Sequence, residues 1–95
     1  MTPLTYGRAY STQKPHGEGG NRTHALVSGT ARPICGARPK GLHLMDPIQI
    51  GSEVFEHLNG VARITPAELP RYVDCQRCLK TLRAAVRSAG GKVDV

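Results

Sequence analysis

Three cysteines constrain this chain more than any other feature. Cys75 and Cys78 form a C-x-x-C pair, and Cys35 lies far upstream of them. An odd number of cysteines does not suit a closed disulfide framework, and the N-terminal residues contain no apolar segment of the kind found in secretory signals. We therefore expect a reducing cytoplasm, where clustered cysteines more often bind a metal or take part in catalysis.

The C-x-x-C spacing serves two kinds of chemistry. In a redox dithiol, a helix N-terminus lowers the pKa of one thiol, whereas in a zinc site the two thiolates hold one ion. Redox pairs usually accompany alternating strands and helices, a pattern that is scarce in this sequence, and Gly36 directly after Cys35 suits a tight metal-binding turn in which backbone N–H groups point at the sulfur. We predict one structural Zn²⁺ and keep a thiol redox protein using Cys75 and Cys78 as a minor alternative.

A tetrahedral zinc site needs a fourth ligand, and the sequence offers four histidines, which are His16, His24, His43 and His57. His24 opens a β-like run, and ten residues with a glycine-containing turn separate it from Cys35. A hairpin across that turn would bring the two side chains level. We therefore predict that the metal ligands are His24, Cys35, Cys75 and Cys78, with His43 as the next candidate for the histidine. Four protein ligands leave no open position for catalysis, so we expect no enzyme.

The fold class expected from local patterns is a small zinc-stapled α+β domain, with a zinc-ribbon-like or treble-clef-like hairpin and a C-terminal helix. Glycine and proline punctuate residues 1–22, which we interpret as a flexible basic arm. Residues 23–90 would form the zinc-binding domain and residues 91–95 a tail. The predicted elements before the last helix are strands at His24–Ser28, Pro33–Arg38 and Val61–Ile64, one or two helical turns at Ser52–Leu58, and a short helix that begins after Thr65 and stops at Pro70.

The C-terminal helix is the clearest predicted element and runs from Gln76 to Ala89, where Gly90 and Gly91 end it. At 100° per residue, the two cysteines of the pair share one face with Leu82 and other apolar residues, so we expect this face to be buried. The neighbouring arc carries four cations, which we call the basic face and predict to contact a partner: Arg77, Lys80, Arg83 and Arg87.

The net charge of +6 is unevenly distributed along the chain. Residues 1–45 carry +5 and residues 76–95 carry +4, whereas residues 46–75 carry −3. The acidic middle could dock a protein, so we rank a protein partner slightly ahead of DNA or RNA and expect no small-molecule substrate. The sequence contains no run of about 18 apolar residues, the length that would predict a membrane-spanning helix.

Three short segments resemble those of a known group of proteins. Thr23-His24, Ile34-Cys35-Gly36 and Val73–Leu79 are similar to the pattern H…LCG…VTCxRCLR of small, mostly uncharacterised zinc-finger-like proteins encoded by actinobacteria and their bacteriophages. The resemblance covers roughly residues 23–89. It implies the same four metal ligands and a bacterial or phage-infected cytoplasm, but no molecular function. Our own hypothesis of a protein partner includes, for instance, a phage product that engages host machinery.

Overall fold

The computed structural model describes residues 2–12, 22–38, 41–51, 56–58 and 60–92 of the 95-residue chain. Over these residues, strands form one sheet and short helices follow, which confirms the predicted α+β class. The strands are β1 (Leu4–Thr12), β2 (Thr23–Ala25), β3 (Gly41–Ile50), β4 (Glu56–Leu58) and β5 (Val61–Ile64). A 3₁₀ turn (Pro66–Glu68) leads into α1 (Leu69–Tyr72) and then α2 (Gln76–Ser88). No helix in the described part of the chain is long and apolar enough to cross a membrane.

The strand order across the sheet is β2-β1-β3-β5-β4. Neighbouring strands are antiparallel except β3 and β5, which run parallel. One face of the sheet packs against α1 and α2 in a single apolar core. The largest fully buried side chains of this core are Ile48, Ile50, Ile64, Leu69, Val73, Leu79, Leu82 and Val86. This packing fixes the start of α2 near the β2 edge of the sheet, where Cys78 meets Ala25.

The prediction of a flexible arm over residues 1–22 is wrong for Leu4–Thr12, which forms β1 between β2 and β3. The fully buried positions of this strand hold small or polar side chains, Ala9 and Ser11, so a search for large apolar residues misses it. Residues 13–21 lie outside the described part of the chain.

Arg8 is an unusual buried cation within β1, with only 8% of its surface exposed. Its guanidinium donates hydrogen bonds to the backbone carbonyls of Asp46 (Nε–O 2.8 Å) and Tyr72 (Nη1–O 3.1 Å). It also lies over the Tyr72 ring, 5.2 Å from the centroid, a distance at which a cation is attracted to the ring face. The basic character of the N-terminal segment therefore serves the fold here, because Arg8 ties β1 to β3 and to the end of α1.

The central strand β3 falls in a region for which the sequence predicts little regular structure. Pro47 lies within this strand but takes no part in the β1 ladder, because the register shifts where Tyr6 pairs with Ile48 and Arg8 pairs with Met45. A proline is tolerated at such a bulge, since the ladder needs no N–H there.

The predicted hairpin is present in a reduced form. Strand β2 ends at Ala25, and a single antiparallel bridge between Leu26 and Pro33 replaces the predicted strand Pro33–Arg38. Hydrogen bonds from the Val27 N–H to the Arg32 carbonyl (2.8 Å) and from the Ile34 N–H to the Ala25 carbonyl (2.9 Å) close this turn. The chain still reverses direction between His24 and Cys35, which is what the predicted site required.

Two further helix predictions need correction. At Glu56–Leu58 the chain forms β4, paired antiparallel with β5, and is not helical; residues 52–55 lie outside the described part. Pro70 does not stop the helix that follows Thr65, because it occupies the first turn of α1, where a missing N–H costs no hydrogen bond.

The predictions for β5 and α2 are confirmed. Strand Val61–Ile64 has the predicted bounds, and α2 ends at Ser88, one residue before the predicted end. Gly90 adopts a positive φ of 90° directly after the helix, as a glycine that ends a helix does. The face of α2 that carries Cys78 and Leu82 is buried, also as predicted.

Candidate metal centre

Four side chains from three separate segments converge at the β2 edge of the sheet. They are His24 in β2, Cys35 in the turn after Pro33, Cys75 immediately before α2, and Cys78 in the first turn of α2. Their ligand atoms all lie within 4.8 Å of one another. His24, Cys75 and Cys78 are buried, and all three cysteines are free thiols. The four residues selected from sequence are thus brought together, in an arrangement that is consistent with one metal site.

Three of the six separations between ligand atoms are close to those around a tetrahedral ion, and all six are within 4.8 Å. With Zn–S bonds of about 2.3 Å and a Zn–N bond of about 2.0 Å, a tetrahedron places two sulfurs about 3.8 Å apart and a sulfur about 3.5 Å from a nitrogen. The Sγ atoms of Cys35 and Cys75 are 3.9 Å apart. Nδ1 of His24 lies 3.7 Å from the Cys35 Sγ and 3.6 Å from the Cys78 Sγ.

Backbone hydrogen bonds hold the two cysteine segments against the strand that carries His24. The Cys75 N–H donates to the Thr23 carbonyl (3.2 Å), and the Ile34 N–H donates to the Ala25 carbonyl (2.9 Å). Residues 23 and 25 flank His24, so the segments of Cys35 and Cys75 are each fixed next to the histidine through the main chain. Hydrogen bonds at the sheet edge therefore position the candidate ligands without the help of a bound ion.

The turn at Gly36 agrees with the sequence prediction in one respect and differs in another. Gly36 adopts a positive φ of 84°, a conformation that other residues seldom adopt. Its N–H donates to the Pro33 carbonyl (3.1 Å) rather than to the Cys35 sulfur. The glycine therefore shapes the turn that presents Cys35.

Burial shifts the pKa values of two of the four candidate ligands in the metal-free chain. Burial lowers the pKa of His24, with Asp74 opposing the shift, and so favours the neutral imidazole that a metal requires. Burial also raises the pKa of the Cys78 thiol to about 12. Reactive redox cysteines have lowered pKa values, so Cys78 itself does not have the pKa expected of an attacking thiol. A bound cation supplies the charge that would keep Cys78 as a thiolate.

His43, the alternative ligand, lies away from this cluster. It is exposed on β3 opposite Tyr10, with the two ring centroids 6.4 Å apart. The structure therefore places His24, and not His43, beside the three cysteines.

Asp74 is a contributor to the site that the sequence reasoning did not select. Its Oδ1 accepts a hydrogen bond from the Thr23 N–H at 2.7 Å, across a sequence separation of 51 residues. The only sequence signal was an acidic residue directly before the C-x-x-C pair. Through this bond, Asp74 ties the approach to α2 to the residue before His24.

Asp74→Ala should lower the free energy of unfolding by about 1–3 kcal/mol, because it removes a hydrogen bond that has a charged acceptor. Asp74→Asn is the matched control, since its side-chain oxygen can still accept from Thr23, and it should recover at least half of the loss. Urea denaturation of the metal-loaded protein measures both values. Equal losses in the two variants would contradict a role for this hydrogen bond.

The predicted partner-contact residues lie on the side of α2 away from the core. Arg77, Lys80 and Arg87 are exposed and Arg83 is half-buried.

The chain matches no protein-family model, no curated protein and no solved structure. Assignment of the metal centre therefore depends on the geometry of the four side chains.

Proposed function

We propose that this chain is a non-enzymatic interaction module whose fold is stabilised by one structural Zn²⁺ bound by His24, Cys35, Cys75 and Cys78. The observation that carries the proposal is the convergence of three thiols and one imidazole within 4.8 Å. Three of the separations among these atoms, 3.6–3.9 Å, are close to those expected around one tetrahedral ion.

The donor set supports zinc over other common ions. Thiolate ligands favour soft or borderline metals and disfavour magnesium and calcium, which prefer oxygen. Three sulfurs and one nitrogen in a tetrahedron form a ligand set typical of structural zinc. Zinc also has no redox chemistry of its own.

The number of protein ligands supports a structural role over a catalytic one. A catalytic zinc usually has three protein ligands and keeps a position for water, whereas four side chains converge here. Three thiolates would also place more negative charge around the ion than its own positive charge, which weakens it as a Lewis acid. Structural zinc contributes roughly 10–16 kcal/mol in small zinc-binding peptides, a large gain for a chain with 4% aromatic residues.

Substitution of Co²⁺ for zinc tests the proposed coordination directly. A tetrahedral site with three thiolates should give the intense visible bands of tetrahedral cobalt together with sulfur-to-cobalt charge-transfer absorption. One equivalent of Zn²⁺ should abolish both signals. Weak bands typical of an octahedral, water-rich ion would contradict the proposal.

A further inference from the structure

We infer that the basic face of α2 binds the phosphate backbone of double-stranded DNA. This inference rests on the proposed interaction module and specifies its partner. From sequence we expect a protein partner slightly ahead of nucleic acid. The residue types on this surface, and the lack of salt bridges to its four cations within the described residues, favour nucleic acid. The residues concerned are Arg77, Lys80, Arg83 and Arg87.

The basic face is held rigidly and is turned to solvent. The opposite side of α2 is anchored by Cys78, Leu79, Leu82 and Val86, which are at most 2% exposed. From Arg77 to Arg87 the helix rises about 15 Å at 1.5 Å per residue. Because successive cations are three or four residues apart, they are neighbours along one side of the helix. Charges arranged in this way can contact several phosphates at once.

The positive charge of this face is not neutralised within the described residues. Helix α2 contains no acidic residue. Over the part of the chain that the structure describes, none of the four cationic side chains makes a salt bridge. Arg71 offers a contrast, because its Nε lies 3.2 Å from a carboxylate oxygen of Glu68. The basic face therefore keeps its charge for an external anion.

The uncharged residues of the same surface argue against a protein partner. The exposed uncharged positions of α2 are Gln76, Thr81, Ala84 and Ser88, and none is large and apolar. Protein interfaces usually centre on buried aromatic or large apolar side chains. Small or polar uncharged side chains between cations are instead typical of surfaces that contact phosphates, where charge supplies most of the affinity.

The same surface favours duplex DNA over other nucleic acids. Proteins that bind single strands stack bases on aromatic side chains, and α2 contains no aromatic residue. The major groove of B-DNA admits an α-helix, whereas the major groove of A-form RNA is too deep and narrow to be read by side chains. A helix with cations along its length can therefore lie along the DNA backbone or groove.

The salt dependence of binding to a short random-sequence DNA duplex tests the inference. Four phosphate contacts predict a log–log slope of about −3.6, or a loss of roughly 100-fold in affinity between about 50 and 200 mM salt. Lys80→Ala with Arg87→Ala removes two exposed cations without touching the core and should reduce the slope to about −1.8. Arg32→Ala with Arg38→Ala has the same net charge, removes two exposed cations elsewhere, and should leave the slope close to that of the unmodified protein.

Each remaining outcome overturns either the inference or the metal centre of the proposed module. Equal loss in the two double variants would mean that net charge, and not the basic face, attracts DNA. Tighter binding to a single strand or to duplex RNA would contradict the duplex DNA assignment. Absent binding by folded, zinc-loaded protein would favour an acidic protein partner and leave the proposed metal centre intact, whereas a folded sample without zinc would refute the metal centre itself. Zinc content and thermal unfolding of every sample separate these cases.

Discussion

Cys78→Ser is expected to abolish zinc binding and leave the domain unfolded at 25 °C. Cys78 is fully buried, and its Sγ lies 3.6 Å from Nδ1 of His24. Structural zinc contributes roughly 10–16 kcal/mol, while the total stability of a small domain is typically about 5–15 kcal/mol. Losing the site would therefore remove most or all of the net stability. Circular dichroism and the dispersion of amide signals in NMR spectra measure the result.

A second substitution separates metal binding from simple packing, because serine also introduces a polar group into the core. Cys78→Ala removes only one heavy atom. If Cys78 were an ordinary buried thiol, this change would cost about 1–2 kcal/mol and leave a cooperative transition. If Cys78 is a zinc ligand, Cys78→Ala should fail to fold, as the serine variant does. A folded Cys78→Ala protein with an unfolding free energy close to that of the unmodified chain would contradict the assignment.

His24→Ala is expected to weaken zinc binding by more than about 100-fold, which lowers the free energy of unfolding by at least about 3 kcal/mol at fixed zinc concentration. Loss of a hydrogen-bonding partner behind a metal ligand already costs about 10–100-fold, and removal of the ligand itself should cost more. Competition with a chromophoric chelator measures the affinity, and urea denaturation measures the stability.

His43→Ala is the matched control, because His43 is also a strand histidine but is exposed on β3. Its unfolding free energy should stay within about 0.5 kcal/mol of the unmodified protein, as expected for a surface change, and its zinc affinity should not change. A larger loss of zinc affinity in His43→Ala than in His24→Ala would contradict the geometry of the cluster.

The candidate site could be predicted from sequence because its chemistry depends on few residue types and on local spacing. Cys75 and Cys78 are one helical turn apart, so a short spacing already places them together. The turn between His24 and Cys35 is also local, and it reverses the chain even though only one bridge forms there. Helix α2 could be predicted for the same reason, since its apolar periodicity and Gly90 are local signals.

The sheet was predicted less well because its pairings are not local. Strand β1 buries Arg8, Ala9 and Ser11, whose side chains do not mark a strand by hydrophobicity. Arg8 is stabilised there by the carbonyls of Asp46 and Tyr72, which are 38 and 64 residues away, and by the Tyr72 ring. A local sequence pattern carries no information about such distant partners. The sequence of β1 therefore resembles that of a solvated arm, although the segment belongs to the sheet.

The metal content of the purified, folded protein tests the central claim most directly. Native mass spectrometry should show one zinc ion per chain, and the three thiols should react with a thiol reagent only after a chelator removes the ion. Folded protein that carries less than about half an equivalent of zinc per chain, and whose three thiols react readily without a chelator, would contradict a zinc-stabilised fold.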